Sequence, residues 1–188
     1  MLWLKNFYNN IFSTCCVPEC MSKSTIHPMV KSYLKSLSSS DNYRGISIIP
    51  ILTKLLEYII LIKCPELTKS RNLQFGYKGK SSTLHAEFLI AETIRYYNSM
   101  NSPVYVCSLD AEKAFDSCNW GRLFEKLYFD KGIPLPIVNV IKSLYSNSSV
   151  KVKYNQCTSK EFLLSQCVRQ GSVLSPHLYN IIISFWPP

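Results

Sequence analysis

The run Val104-Tyr-Val-Cys-Ser-Leu109 constrains this chain more than any other segment. It is apolar and β-branched, the pattern of a strand buried on both faces, and Asp110 follows it directly. A carboxylate at the end of a buried strand is costly unless a cation or a set of donors meets it. The run therefore predicts a central strand with a chemically demanding group at its tip. Mg²⁺ takes hard oxygen ligands and keeps its waters, so one or two carboxylates with a substrate phosphate make a usual site. Asp110, with the carbonyl of Ala111 beside it, suits that role. A strand-end Asp also caps helices or faces water, and Asp116, six residues on, could cap the helix that follows.

Around this strand the pattern alternates between helices and hairpins. Leu52, Leu55, Leu56, Ile59 and Ile60 recur at helical spacing after Pro50. Leu84 to Tyr97 reads as a second helix with Leu84, Phe88 and Ala91 on one side, and Trp120 to Phe129 as a third, closed by Gly132. Ile137, Val140, Ile141, Leu144 and Tyr145 form the stripe of a fourth, and Leu174 to Phe185 a last one. Val150, Val152 and Tyr154 alternate with lysines and lead through a turn to Phe162–Leu164, a predicted hairpin. Thr25–Val30 is a short strand that Pro28 would confine to an edge. Ser36–Ser40 and Gln74–Ser82 read as loops. Helices and hairpins without strict βα alternation predict an α+β fold.

Composition bears on partners. The chain has 188 residues and a formal charge of +9. Residues 1–84 hold eleven Lys and Arg against four Asp and Glu, whereas residues 85–188 hold ten against eight. A basic first half suits a polyanion, and also suits a plain high-pI protein. The eight cysteines include no paired Cys-x-x-Cys units, and Cys15, Cys16, Cys20 and His27 fit no usual zinc spacing. They read as reduced thiols of an intracellular protein. Lys54 and Glu57 interrupt the most apolar segment, so no membrane role is expected.

Three further segments carry possible chemistry. Val168-Arg-Gln-Gly-Ser-Val-Leu-Ser-Pro176 puts a glycine between polar residues ahead of a helix, which lets backbone approach a ligand. The same residues would also serve as a loop with Ser172 as N-cap and Pro176 in the first turn. Gln74-Phe-Gly-Tyr-Lys-Gly-Lys-Ser-Ser-Thr83 is basic, aromatic and glycine-bearing, suited to a phosphate backbone or to an exposed turn. It lacks the spacing of a nucleotide P-loop. Asp41-Asn-Tyr-Arg-Gly-Ile-Ser47 is the third.

In order and wording, Asn42–Ser47, Gln74–Thr83, Leu109–Asp116 and Gln170–Pro176 resemble the reverse transcriptase domain of non-LTR (LINE-like) retrotransposons. The resemblance covers nearly the whole chain. It implies a partial right-hand polymerase fold without a thumb, with fingers over residues 1–103 and the first part of the palm over 104–188. It implies RNA-directed DNA polymerisation with dNTPs, Mg²⁺, an RNA template and a DNA primer, in the nucleus. Asp110 would be the first catalytic carboxylate, binding metal with the Ala111 carbonyl. Phe115 would be the gate that excludes a 2′-hydroxyl, Arg44 would pair with the triphosphate, and Gln170 and Gly171 would line the nucleotide pocket. Lys78 and Lys80 would contact nucleic acid, although the family favours arginine there, and Tyr77 stands in place of Phe. The family's downstream Tyr-x-Asp-Asp hairpin has no counterpart in the sequence. The expectation is a truncated reverse transcriptase, its remaining palm and thumb in a longer parent protein, that is inactive alone. The alternative is a relic that binds RNA or DNA without catalysis.

Overall fold

Helix α6 (Leu135–Ser146) shows how the core forms. Pro134 sets up its first turn, and all five residues of the predicted stripe, Ile137, Val140, Ile141, Leu144 and Tyr145, are buried. Each such side chain gains about 1.5–3 kcal/mol on leaving water. The stripe belongs to one buried cluster with Tyr8 and Ile11 of α1 (Leu2–Thr14), Leu56 and Ile60 of α3 (Ile51–Lys63), Leu123 of α5 (Trp120–Glu125), and Leu178 and Ile181 of α7 (Ser175–Ile183). The computed structural model describes residues 2–183, so the end of the predicted last helix, at Phe185, lies outside the described residues. After α5 the chain widens into a π-helical turn over Lys126–Asp130 and ends at Gly132, whose φ of +62° supplies the left-handed cap.

The other layer is a mixed sheet. A short helix α2 (Glu19–Ser22) leads into β1 (Lys23–Val30), which pairs antiparallel with β2 (Tyr43–Ile48) and parallel with β3 (Ser149–Tyr154). Strands β4 (Cys157–Thr158) and β5 (Phe162–Leu163) fold back antiparallel onto β3, as the hairpin pattern predicts. Mixed helices and sheet make the fold α+β. The sheet takes β1 and β2 from one side of residue 103 and β3 to β5 from the other. Thr25–Val30 is part of a longer, central strand rather than a short edge strand. The β1–β3 register stops at Ile26↔Val152, so Pro28 faces only Gly45 of β2, and its missing N–H costs no ladder on the β3 side. The serine-rich loop before β2 is closed by buried Asn42, whose Nδ2 donates to the Ser32 carbonyl at 2.8 Å and whose Oδ1 accepts from Ser32 N at 3.1 Å.

Two elements depart from the sequence pattern. Residues 104–109 form no strand, and Tyr105 and Leu109 are 92% and 83% exposed. Strand propensity expresses a fit to a neighbouring strand, and no described segment pairs with this run. Helix α4 (Thr83–Ser99) forms as predicted, with a Ser82–His85 capping box, but it buries none of its residues. Leu84 and Phe88 face solvent. Among the described residues no helix is long and apolar enough to cross a membrane.

This difference in packing is measurable by urea unfolding. Leu144→Ala should lower stability by about 2–5 kcal/mol, as for other buried leucines. Phe88→Ala in α4 should stay within about 0.5 kcal/mol. Equal losses would show that α4 is packed on the core.

Candidate functional site

All four motifs reach one cleft of about 890 Å³, the Gln74–Thr83 loop through Tyr77 alone. Its walls are Arg44, Gly45 and Ile46 of β2, the segment Asp110–Asp116, and the turn Gln170–Ser172. Each wall is held differently. The Gln170 carbonyl accepts a hydrogen bond from Ser47 N at 2.6 Å, which fixes the turn against β2. Gly171 has a φ of +108°, and a Cβ there would stand 2.8 Å from the Ser47 carbonyl oxygen. Only glycine allows both the backbone angle and the close approach.

The 110–116 segment is anchored at its far end. Val168 N donates to the Phe115 carbonyl at 2.8 Å, and Cys167 N to the Cys118 carbonyl at 3.1 Å. The Phe115 ring stacks on Tyr179 of α7, with centroids 4.7 Å apart, and Tyr77 approaches its edge at 6.3 Å. Asp110 and Ala111 lie exposed at the free end of the segment. Asp116 does not cap the next helix; Asn119 does, its Oδ1 accepting from Arg122 N at 3.0 Å. Nor is Ser172 the N-cap of α7, which begins at Ser175. Its hydroxyl still accepts from Ser175 N at 3.2 Å, and Pro176 sits in the first turn.

Thus Arg44, Asp110, Ala111, Phe115, Gln170 and Gly171 all line the cleft, whereas Lys78 and Lys80 do not. Lys78 Nζ turns back to donate to the carbonyls of Arg71 and Asn72 at 3.2 and 3.4 Å. The Gln74–Thr83 loop instead sends Tyr77 to the cleft. It is pinned to α7 by Gln74 Nε2 donating to Asn180 Oδ1 at 3.3 Å and Asn180 Nδ2 donating to the Gly76 carbonyl at 3.2 Å. As a metal donor set, the Asp110 carboxylate and Ala111 carbonyl suit one hard cation that keeps waters or phosphate oxygens. Among the described residues no group of three His, Cys, Asp or Glu side chains could hold an ion, so a two-ion clamp is not assembled here.

Comparison with known proteins agrees with the motifs. The family described as "Reverse transcriptase (RNA-dependent DNA polymerase)" matches residues 31–186. The chain belongs to the reverse transcriptase family. It is 30% identical, over its full length, to the RNA-directed DNA polymerase from mobile element jockey of Drosophila funebris, of which the match covers 20%. It is 26% identical to the probable RNA-directed DNA polymerase from transposon BS of Drosophila melanogaster, again over its full length and 21% of that protein. The Pol polyprotein from the type-1 retrotransposable element R2 of Popillia japonica is 26% identical over 78% of this chain and 21% of its own. These are the relatives expected from the non-LTR resemblance. The chain spans about a fifth of the length of these three relatives.

Behind the cleft this reverse transcriptase chain carries a buried polar layer that its motifs do not announce. Glu57 of α3 is fully buried. It accepts from Ser172 Oγ at 2.8 Å, Val173 N at 2.8 Å and Leu174 N at 3.3 Å, and so holds the turn of the Gln170 motif ahead of α7. Burial pushes its carboxyl above the ordinary range, against the opposing pull of those three donors and of Arg169. In the sequence Glu57 reads only as a charge interrupting an apolar helix. A buried position on the Leu56–Ile60 face is the one signal that could have marked it.

A group whose folded value is raised takes up its proton more readily in the folded state than in the unfolded one. Its stability contribution is full below the unfolded value, about 4.3 for Glu, and is lost as pH rises through the folded value. Glu57→Gln imitates the protonated acid and should abolish that fall in a urea titration run across pH. Glu57→Ala should cost about 1–3 kcal/mol for each backbone N–H it orphans. A pH slope unchanged by Glu57→Gln would assign it to another group.

Proposed function

We propose that this chain is the nucleotide-binding wall and first catalytic carboxylate of a retroelement's RNA-directed DNA polymerase. The observation that carries the reading is the convergence of Arg44, Asp110–Phe115 and Gln170–Gly171 on one cleft. These residues are far apart in sequence, and a shared cleft is what a common substrate requires. On this reading the N-terminal 103 residues act mainly as fingers and the remainder as the first part of a palm.

Each residue then has a task that its position supports. The Arg44 guanidinium, exposed on β2, offers a fork of donors to the phosphates of an incoming dNTP. Phe115, held flat by Tyr179, sets a fixed apolar surface where a 2′-hydroxyl would have to fit. The Gln170 side chain and the bare backbone of Gly171 form the floor, open to base or sugar. Asp110 is the carboxylate for Mg²⁺, assisted by the Ala111 carbonyl. In such sites the metal supplies Lewis-acid activation of the primer hydroxyl and charge neutralisation on the leaving group. With no three ligating side chains brought together and no partner for Val104–Leu109 among the described residues, further palm strands of a longer protein would complete the site. RNA template and DNA primer would enter past the exposed Lys80; Lys78, bound to its own loop, contributes less.

Primer extension on an RNA template with dNTPs and Mg²⁺ tests the reading. The chain alone should show no incorporation above that of Asp110→Ala, and grafting it in place of the matching region of a full-length relative should restore Asp110-dependent synthesis. Incorporation by the isolated chain that disappears in Asp110→Ala would overturn its dependence on a longer protein. An inactive graft that is folded would leave binding of nucleic acid as the function.

A further inference from the structure

A lysine that no motif assignment uses stands at the cleft mouth. Lys113 adopts a φ of +49°, a left-handed geometry uncommon for a side chain of its kind. Asp116 N and Ser117 N both donate to its carbonyl, at 2.9 and 3.0 Å, so the turn that presents it is fixed. Its Nζ reaches 3.6 Å from Asp41 Oδ1, on the segment leading into β2. The Asp41 carbonyl in turn accepts from Lys31 Nζ at 2.8 Å. Lys31, Asp41, Arg44 and Lys113 all line the cleft.

We propose that Lys113 is a phosphate-binding residue of this cleft and that Asp41 is its internal competitor, occupying the ammonium that a triphosphate chain would take. The proposal rests on the nucleotide reading above and adds a residue and a control to it. Lys113 and Asp41 side chains are 62% and 78% exposed, so their ion pair is weak and a more highly charged anion displaces the carboxylate. A lysine is suited to that exchange, as a point charge on a flexible stem rather than a rigid fork. Arg44 and Lys113 then approach the same phosphates from the sheet and from the Asp110 segment.

The test is calorimetric titration of the chain with inorganic tripolyphosphate at low salt. Asp41→Asn should tighten binding about two- to fivefold, the range of one exposed ion pair. Lys113→Asn should weaken it by a similar factor without lowering the melting temperature, since asparagine accepts the left-handed geometry. In the double variant the gain from Asp41→Asn should vanish. A gain that persists without Lys113 overturns the proposal. A short single-stranded oligonucleotide, titrated in parallel, should bind all of these variants alike; effects confined to the oligonucleotide would assign the pair to a nucleic-acid backbone and overturn it as well. Arg44→Ala separates the two levels. If it weakens tripolyphosphate binding while the Lys113 and Asp41 variants do nothing, only this inference fails. If no variant, and not the parent chain, binds tripolyphosphate, the nucleotide reading fails with it.

Discussion

Arg169 ties the two layers of this protein together. The residue is 2% exposed, yet its guanidinium lies among backbone ends rather than in an ion pair with a carboxylate. Nη2 donates to the Ser22 carbonyl at 2.7 Å, to the Leu144 carbonyl at 3.2 Å and to Ser148 Oγ, and the group lies over the Tyr145 ring at 5.5 Å. Ser22 closes α2 just before β1, and Leu144 to Ser148 closes α6 just before β3. One side chain therefore satisfies carbonyls where both parallel strands begin, which sets β1 and β3 side by side. Glu57 is the nearby counter-charge, felt across the buried layer. Burying a cation is costly, and the Nη2 hydrogen bonds offset only part of that cost, since Nε and Nη1 are buried without a hydrogen-bond partner among the described residues.

The functional consequence follows from chain order. Gln170 and Gly171 come directly after Arg169, so the residue that locks the layers also fixes where the turn leaves the core. From there the Ser47 N–H clamps the turn on one side and Glu57 clamps residues 172–174 on the other. The turn is thus braced by the sheet and by α3 at once. Such bracing keeps a backbone surface in place for a ligand without any contribution from the ligand itself.

Local patterns were legible in the sequence because they are solved locally. The α6 stripe, the Pro50 start, the Gly132 cap and the β3 hairpin each depend on residues within a turn or two, and each is found. The cleft was legible for another reason: its motifs are worded like a known family, and the structure brings residues of all four together. What escaped were long-range partners. Nothing near Glu57 in sequence reveals Ser172, more than a hundred residues away. Lys78 escaped for a different reason: its partners, the Arg71 and Asn72 carbonyls, are close in sequence but set by the loop's own conformation. Pro28 marked an edge correctly only for its own position, since the β1–β3 pairing stops two residues earlier on that side.

The run Val104–Leu109 shows the same limit from the other direction. Its composition specifies a buried strand, but a strand exists only as a pair, and here backbone and side chains stand open to water. The cleft is therefore unequal in its order. Arg44 sits on a strand paired along its whole length, and Gly171 in a turn braced from two sides. Asp110 sits at the end of a segment held only from Lys113 onward. The wall that would receive phosphates is built by the described residues. On the proposed reading, a strand pairing with residues 104–109 would position the Asp110 carboxylate, so placing the reacting group would be coupled to completing the sheet.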